Sequence, residues 1–182
     1  MSRGPAGSSA SLGVIGNDVA RTKWLTIEST MNEPRLPDEL GRVLRSAGDR
    51  EAKAVRIAET IRSAGDYRWV GIYEVSDGEI AVIGWSGPGE PAYPRFPITQ
   101  GLSGAAVASR ETVVVGDVTT DPRYLTAFGS TRSEIIVPVI EPTTRLVVGT
   151  IDVESEHKNA FTDADRATLE RCAAAIADLF EI

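Results

Sequence analysis

From Pro37 onward the chain alternates between helical and strand-like patterning. Leu40, Val43 and Leu44 give a short apolar helix face, and Val55, Ala58 and Ile61 repeat at helical spacing before Gly65, which reads as a C′ residue. That second helix is expected to pack on a sheet. Trp69 to Val75 reads as a strand, Ser76-Asp77-Gly78 supplies turn chemistry, and Glu79 to Trp85 reads as its hairpin partner. Pro88, Pro91, Pro94 and Pro97 remove backbone donors and fix φ, so Gly87 to Pro97 is expected to be a loop and not a central strand. A loop of that length usually covers something.

The second half repeats the alternation with different spacing. Gly101-Leu102-Ser103-Gly104 opens a short helix through Arg110, Thr112 to Val115 follows as a strand, and Asp117 with Thr120-Asp121-Pro122 begins another long connection. Ser133 to Ile140 and Arg145 to Glu154 form a second apolar hairpin, joined by a three-residue loop at Pro142 to Thr144. Thr162 caps a final helix with Asp165 placed to complete a capping box, and Leu169, Cys172, Ala173, Ile176 and Phe180 form its buried stripe. There is no internal repeat.

Upstream of this pattern, residues 1–30 read as a disordered leader, rich in Ser, Gly and Ala over its first two thirds and without an apolar core segment. Met31 offers a second start just before the ordered patterning, which makes 31–182 a single domain including the N-terminal helices. A chain of 182 residues buries one substantial core rather than two. Its net charge of -7 argues against a nucleic-acid backbone or an anionic lipid surface as partner, since either needs a cationic footprint. No apolar run is long enough to span a membrane. The sole cysteine, Cys172, and sole histidine, His157, make neither an internal disulfide nor a thiol–imidazole metal cluster. A reducing, cytoplasmic setting fits, and no cofactor or metal is implied.

Taken in order, several motifs resemble a GAF domain: Gly101-Leu102-Ser103-Gly104, Val113-Val114-Val115-Gly116-Asp117-Val118, Asp121-Pro122-Arg123-Tyr124, Ser133 to Val139, Gly149-Thr150-Ile151-Asp152-Val153-Glu154-Ser155 and Phe161-Thr162-x-x-Asp165. The resemblance runs from about Asp49 to the C terminus. It implies an α+β fold, with a central antiparallel sheet, terminal helices on one face and a ligand pocket under loops on the other. Tyr67 to Tyr73 and Ser133-Glu134-Ile135 are most similar to the free methionine-(R)-sulfoxide reductases within that family. Those enzymes work through thiols, and their cysteine positions fall here on Tyr93, Ser103 and Ala127. A phenol, an alcohol and a methyl group cannot run a thiol redox cycle. Cys172 belongs to an apolar helix stripe, where cysteine serves as a small hydrophobe, so no catalytic residue is assigned. Ser103, at a helix start without a neighbouring histidine, reads as a cap.

What the resemblance retains is the acidic, aromatic part of the pocket. It places Glu134, Asp152 and Glu154 where the reductases hold a ligand ammonium, with Trp69 and Tyr73 as apolar walls and Tyr93 and Ser103 at the remaining ligand positions. Glu154 departs from a shorter aspartate in the family. Asp152 and Glu154 share a strand face by spacing alone, and Glu134 joins them only if the hairpin register sets it opposite an even-numbered residue. An odd-length loop does that, so the three carboxylates are expected to meet in one cavity beneath the Gly87 to Pro97 loop and the connection around Tyr124 to Phe128. Three functions remain open on this sequence. The leading one is a non-catalytic sensor or regulatory module for a small amine or amino-acid-like ligand, working as a homodimer or with a separate signalling partner. The others are a reductase-like enzyme and a structural module that dimerises through its terminal helices.

Overall fold

Two helices, α1 (Leu36–Leu44) and α2 (Arg50–Gly65), lead into strands β1 (Trp69–Ser76), β2 (Glu79–Ser86) and β3 (Arg95–Pro97). Helix α3 (Gly101–Ser109), strand β4 (Val113–Val115), the hairpin β5 (Ser133–Ile140) and β6 (Val147–Ser155), and helix α4 (Asp163–Ala175) follow. This is a computed structural model that describes residues 36–126 and 128–181. The leader over 1–30, the start at Met31 and position Ala127 lie outside the described residues.

The strands form one antiparallel sheet in the order β3-β2-β1-β6-β5-β4, as the α+β expectation required. Strand alternation gives the sheet two unlike faces. Val70, Ile72, Ile135, Val137, Val139, Ile151 and Val153 point to one side and join Leu40, Ala54, Ile57, Ile61, Leu169, Cys172 and Ile176 from α1, α2 and α4 in the main core. Helix α3 alone packs on the other face, where Leu102 and Ala106 meet Val115 and Ile136.

Local chemistry sets the ends of these elements. Asp49 caps α2 by accepting from the Ala52 amide at 2.8 Å, and Thr162 with Asp165 completes a reciprocal capping box on α4. The left-handed residue closing α2 is Asp66 at φ 51, not Gly65, which is still helical. Val55 is not on the buried stripe of α2; it is 43% exposed, and the stripe is Ala54, Ile57, Ala58 and Ile61. The reason lies across the interface at Gly84 of β2, where an added Cβ would stand 2.5 Å from the Ala54 backbone carbon. Glycine facing a small residue brings helix and strand together there, and Val55 is turned outward.

Four segment boundaries also differ from the sequence reading. The Gly87 to Pro97 loop ends in a short edge strand, β3, pairing Phe96 with Ile80; an edge position tolerates the flanking prolines because one side of the strand needs no donors. Helix α3 stops at Ser109, with Arg110 left-handed at φ 60, and the last helix breaks at Ile176 into a 3-10 turn over Ala177–Phe180. The β5–β6 connection is not three residues at Pro142 to Thr144 but six, 141–146. An even loop alone would set Glu134 on the wrong face. A bulge corrects it: Ile140 pairs with Val147 but Val139 with Gly149, leaving Val148 as the extra residue, and from there Glu134 stands opposite Glu154 and Ile136 opposite Asp152.

Candidate functional site

The face away from the main core carries cross-strand rows of functional side chains. Trp69, Glu154, Glu134 and Val115 form one row across four strands; Gly71, Asp152, Ile136 and Val113 form the next. Tyr73 lies one row further on, opposite Thr150. The register thus brings Glu134 to the same face as Asp152 and Glu154 of the neighbouring strand. Glu134, Asp152 and Glu154 are only 6%, 7% and 1% exposed, and all three line a cavity of about 30 Å³. That is room for little more than water in this closed form.

The remaining walls come from the expected loops and from α3. Tyr73 of β1 and Phe96 of β3 line the cavity from the sheet, Gly101, Leu102 and Ser103 from α3, and Pro91, Tyr93 and Leu125 from the two loops. Tyr93 sits at the rim, 42% exposed. Ser103 is buried and is not the cap of α3; the N-cap is Gln100, whose side chain makes no capping hydrogen bond, and Gly101 to Ser103 of the first turn line the cavity. Trp69 is not a cavity wall. Its ring leans outward over Phe128, with centroids 5.7 Å apart, and its Nε1 donates to the Gly89 carbonyl at 3.1 Å, which fastens the proline-rich loop. Gly71 lies between the Trp69 and Tyr73 rings, which approach to 6.4 Å because no side chain separates them.

Burial dominates the electrostatics of the three acids. Glu134 and Asp152 are pushed well above the usual carboxylate range, first by desolvation and then by neighbouring negative charge. Glu154 is raised to about 6 by burial, opposed by a hydrogen bond from Thr131 and by the charge of Arg68. Tyr73, facing all three, is raised well above its ordinary value by burial and by their charge. Glu134 Oε2 and Asp152 Oδ1 are buried and have no hydrogen-bond partner among the described residues. Among the described residues no lysine or arginine lines the cavity. Arg68 acts on Glu154 by its charge from outside the cavity wall; its Nε donates to Glu156 at 2.7 Å, its guanidinium lies 5.0 Å over the Phe128 ring, and its Nη1 is buried without a hydrogen-bond partner. Such a site is short of one positive charge and of hydrogen-bond donors.

Sequence reasoning missed Thr131 and Arg68. Thr131 donates a very short hydrogen bond to Glu154, but it precedes β5, so no strand periodicity marks it. Cys172 is fully buried in the main core on the opposite side of the sheet, and burial pushes its thiol up to about 11. His157 is exposed and outside the site. No group of residues among those described could hold a metal ion, and no described helix is long and apolar enough to cross a membrane.

Comparison with known proteins supplies the family. A family model described as GAF domain matches residues 49–181. The free methionine-R-sulfoxide reductase of Saccharomyces cerevisiae is 30% identical over 112 residues, covering 60% of this chain and 61% of that protein. Its counterpart in Escherichia coli is 28% identical over 111 residues, covering 60% and 64%. The chain therefore spans less than two thirds of the length of these two relatives. A solved type II free methionine-R-sulfoxide reductase from Thermoplasma acidophilum superposes with a TM-score of 0.67 at 30% identity, covering 72% of this chain and 92% of that one. The Neisseria meningitidis enzyme in complex with its substrate gives 0.71 at 30% identity, covering 80% and 86%.

Proposed function

The chain belongs to the GAF domain family, and on that premise we propose that it is a non-catalytic module that binds a small primary amine of amino-acid type. The observation that carries this reading is the buried trio Glu134, Asp152 and Glu154 around a cavity with no cationic side chain in its wall. An ammonium group supplies both the missing charge and three donors. At the other end of the cavity the first turn of α3, at Gly101 to Ser103, offers backbone amides and a positive helix end to a carboxylate. Relatives named for free methionine-R-sulfoxide, itself an amino acid, fit the same two-ended chemistry.

The non-catalytic part of the reading is supported by where the thiol is. The cavity side holds Tyr93 and Ser103 at two of the three positions that resemblance assigns to cysteine, and Cys172 is across the sheet in a dry core. A thiolate cannot form readily there. The module is then a cytoplasmic sensor or regulatory subunit, acting as a homodimer or through a separate partner. Because the closed cavity is so small, a ligand enters only when the loops at Tyr93 and Leu125 lift.

The test is a thermal-shift and calorimetric panel of L-methionine-(R)-sulfoxide, L-methionine, n-butylamine and n-butanol. Amines raise the melting temperature in proportion to the logarithm of concentration, the alcohol does not, and Glu134→Gln abolishes the shift. A response to the alcohol equal to that of the amine overturns the reading. A reductase is the competing function, carried by the 30% identity to the reductases. Turnover of free methionine-(R)-sulfoxide with dithiothreitol distinguishes the two, and none is expected.

A further inference from the structure

Glu134 and Asp152 bring two carboxyl groups from adjacent strands into one small cavity whose wall holds no cationic side chain among the described residues. Two carboxylates have acceptors only, so neither can satisfy the other unless the pair holds one proton. The pair lies on adjacent strands, with Glu134 one row from Asp152; both are more than nine-tenths buried, and the buried oxygens Glu134 Oε2 and Asp152 Oδ1 have no hydrogen-bond partner. Resting on the amine-binding reading, we infer that Glu134 and Asp152 hold one proton between them in the empty site and release it when an ammonium group enters, so that the cavity exchanges a proton for its ligand.

The groups facing the pair make this exchange one-sided. From β6 comes Glu154 and from β1 the Tyr73 phenol, while Asp121 on the connection after β4 adds further negative charge to Glu134. Tyr93 and Ser103 bring hydroxyls to the cavity wall. The nearest cation, Arg68, acts on Glu154 and not on the pair. In the empty site nothing but a proton can relieve the repulsion between Glu134 and Asp152. An incoming ammonium does the same work with three N–H donors offered to the carboxylates that line the cavity, and its charge lowers the proton affinity of the pair. The Glu134 O–H proton passes to solvent, both carboxyls become acceptors, and no electrons move. The site then reads amine concentration and acidity as one ratio.

Two measurements test the inference separately from the reading it rests on. The infrared carbonyl band of an un-ionised carboxylic acid is expected in the ligand-free protein at pH 7 and is expected to disappear in Glu134→Gln. Calorimetric titration with L-methionine and n-butylamine, in two buffers of different ionisation enthalpy, is expected to give about one proton released per ligand. The affinity then rises about tenfold per pH unit while the pair is protonated. Amine binding without proton release, or without the infrared band, overturns the inference while leaving amine binding intact. A band that persists with no amine bound by any method overturns amine binding, and the exchange with it, but leaves the shared proton. A conservative variant, Asp152→Asn, checks against misfolding: it keeps a hydrogen-bonding group next to Glu134 and is expected to bind amine with no proton release.

Discussion

Ile151 and Asp152 are consecutive on β6, yet they belong to different kinds of protein interior. Ile151 points into the face closed by α1, α2 and α4, within the main apolar core. Asp152 points into the face closed by one short helix and two loops, among Glu134, Glu154 and Tyr73. The sheet separates the two tasks by alternation alone. One face supplies the stability that lets the other carry three buried acids, each of which costs free energy to desolvate.

The sharpest test of that division is a pair of neighbours. Ile151→Ala is expected to destabilise by about 2–5 kcal/mol, the range for truncating a fully buried aliphatic side chain. Asp152→Asn, one residue on, is expected to melt at or above the wild-type temperature while altering ligand binding. Equal losses from both in chemical denaturation would erase the distinction between the faces. Next in size is Cys172→Ser, which sets a hydroxyl among Leu169 and Ile176 and is expected to cost about 1–3 kcal/mol. Its counterpart is chemical: the native thiol should resist an alkylating reagent until the protein unfolds, and rapid labelling would place it at the surface.

A smaller effect comes from acidity. Glu154 has its folded value raised to about 6, so in the unfolded chain it gives up its proton at lower pH than in the folded one. Its favourable contribution is complete below the unfolded value, near 4.3, and is lost as pH rises through about 6, roughly 2 kcal/mol in all. Glu134 and Asp152, shifted the same way, extend the decline to higher pH. Stability measured by denaturant from pH 4 to 8 is expected to fall for the wild type and to fall less for Glu134→Gln; a rise would reverse the assignment. The smallest effect belongs to Thr131→Val, which removes the donor to Glu154 at the cost of about 1 kcal/mol and raises the proton affinity of Glu154, visible as a shift in its carboxyl titration by NMR.

Much of this was legible in the sequence because it is local. The prolines between Gly87 and Pro97, the Thr162–Asp165 capping box and the stripe through Leu169, Cys172 and Ile176 are each decided by residues within a few positions of one another. What failed was decided at a distance. Ala54 and Val55 are equally apolar, and only Gly84 on another element chooses between them. Trp69 and Tyr73 share a face by parity, but whether a ring lines a cavity or buttresses a loop depends on where the Gly89 carbonyl lies. The convergence of Glu134 with Asp152 and Glu154 was reached from a wrong loop length, because parity can be set by an odd loop or by an even loop with one extra strand residue. The sequence contains no glycine or other mark at Val148 that announces the second solution.

That extra residue frees the tip of the hairpin. With register anchored at Val139 and Gly149, the chain between Ile140 and Val147 has no further say in where Glu134 falls. The tip is held by its own contacts, with the Glu141 carboxylate accepting from the Thr143 amide at 2.7 Å and from that of Thr144, and Leu146 stands 56% exposed beside them. Foreign sequence spliced in at 142–145, of odd or even length, is expected to leave the cavity undisturbed, which an unchanged ligand response of the insertion variant would check. The hairpin is therefore the natural graft point for a fluorophore or an epitope, a handle by which the proposed binding of an amine in the cavity can be tested without touching Glu134, Asp152 or Glu154.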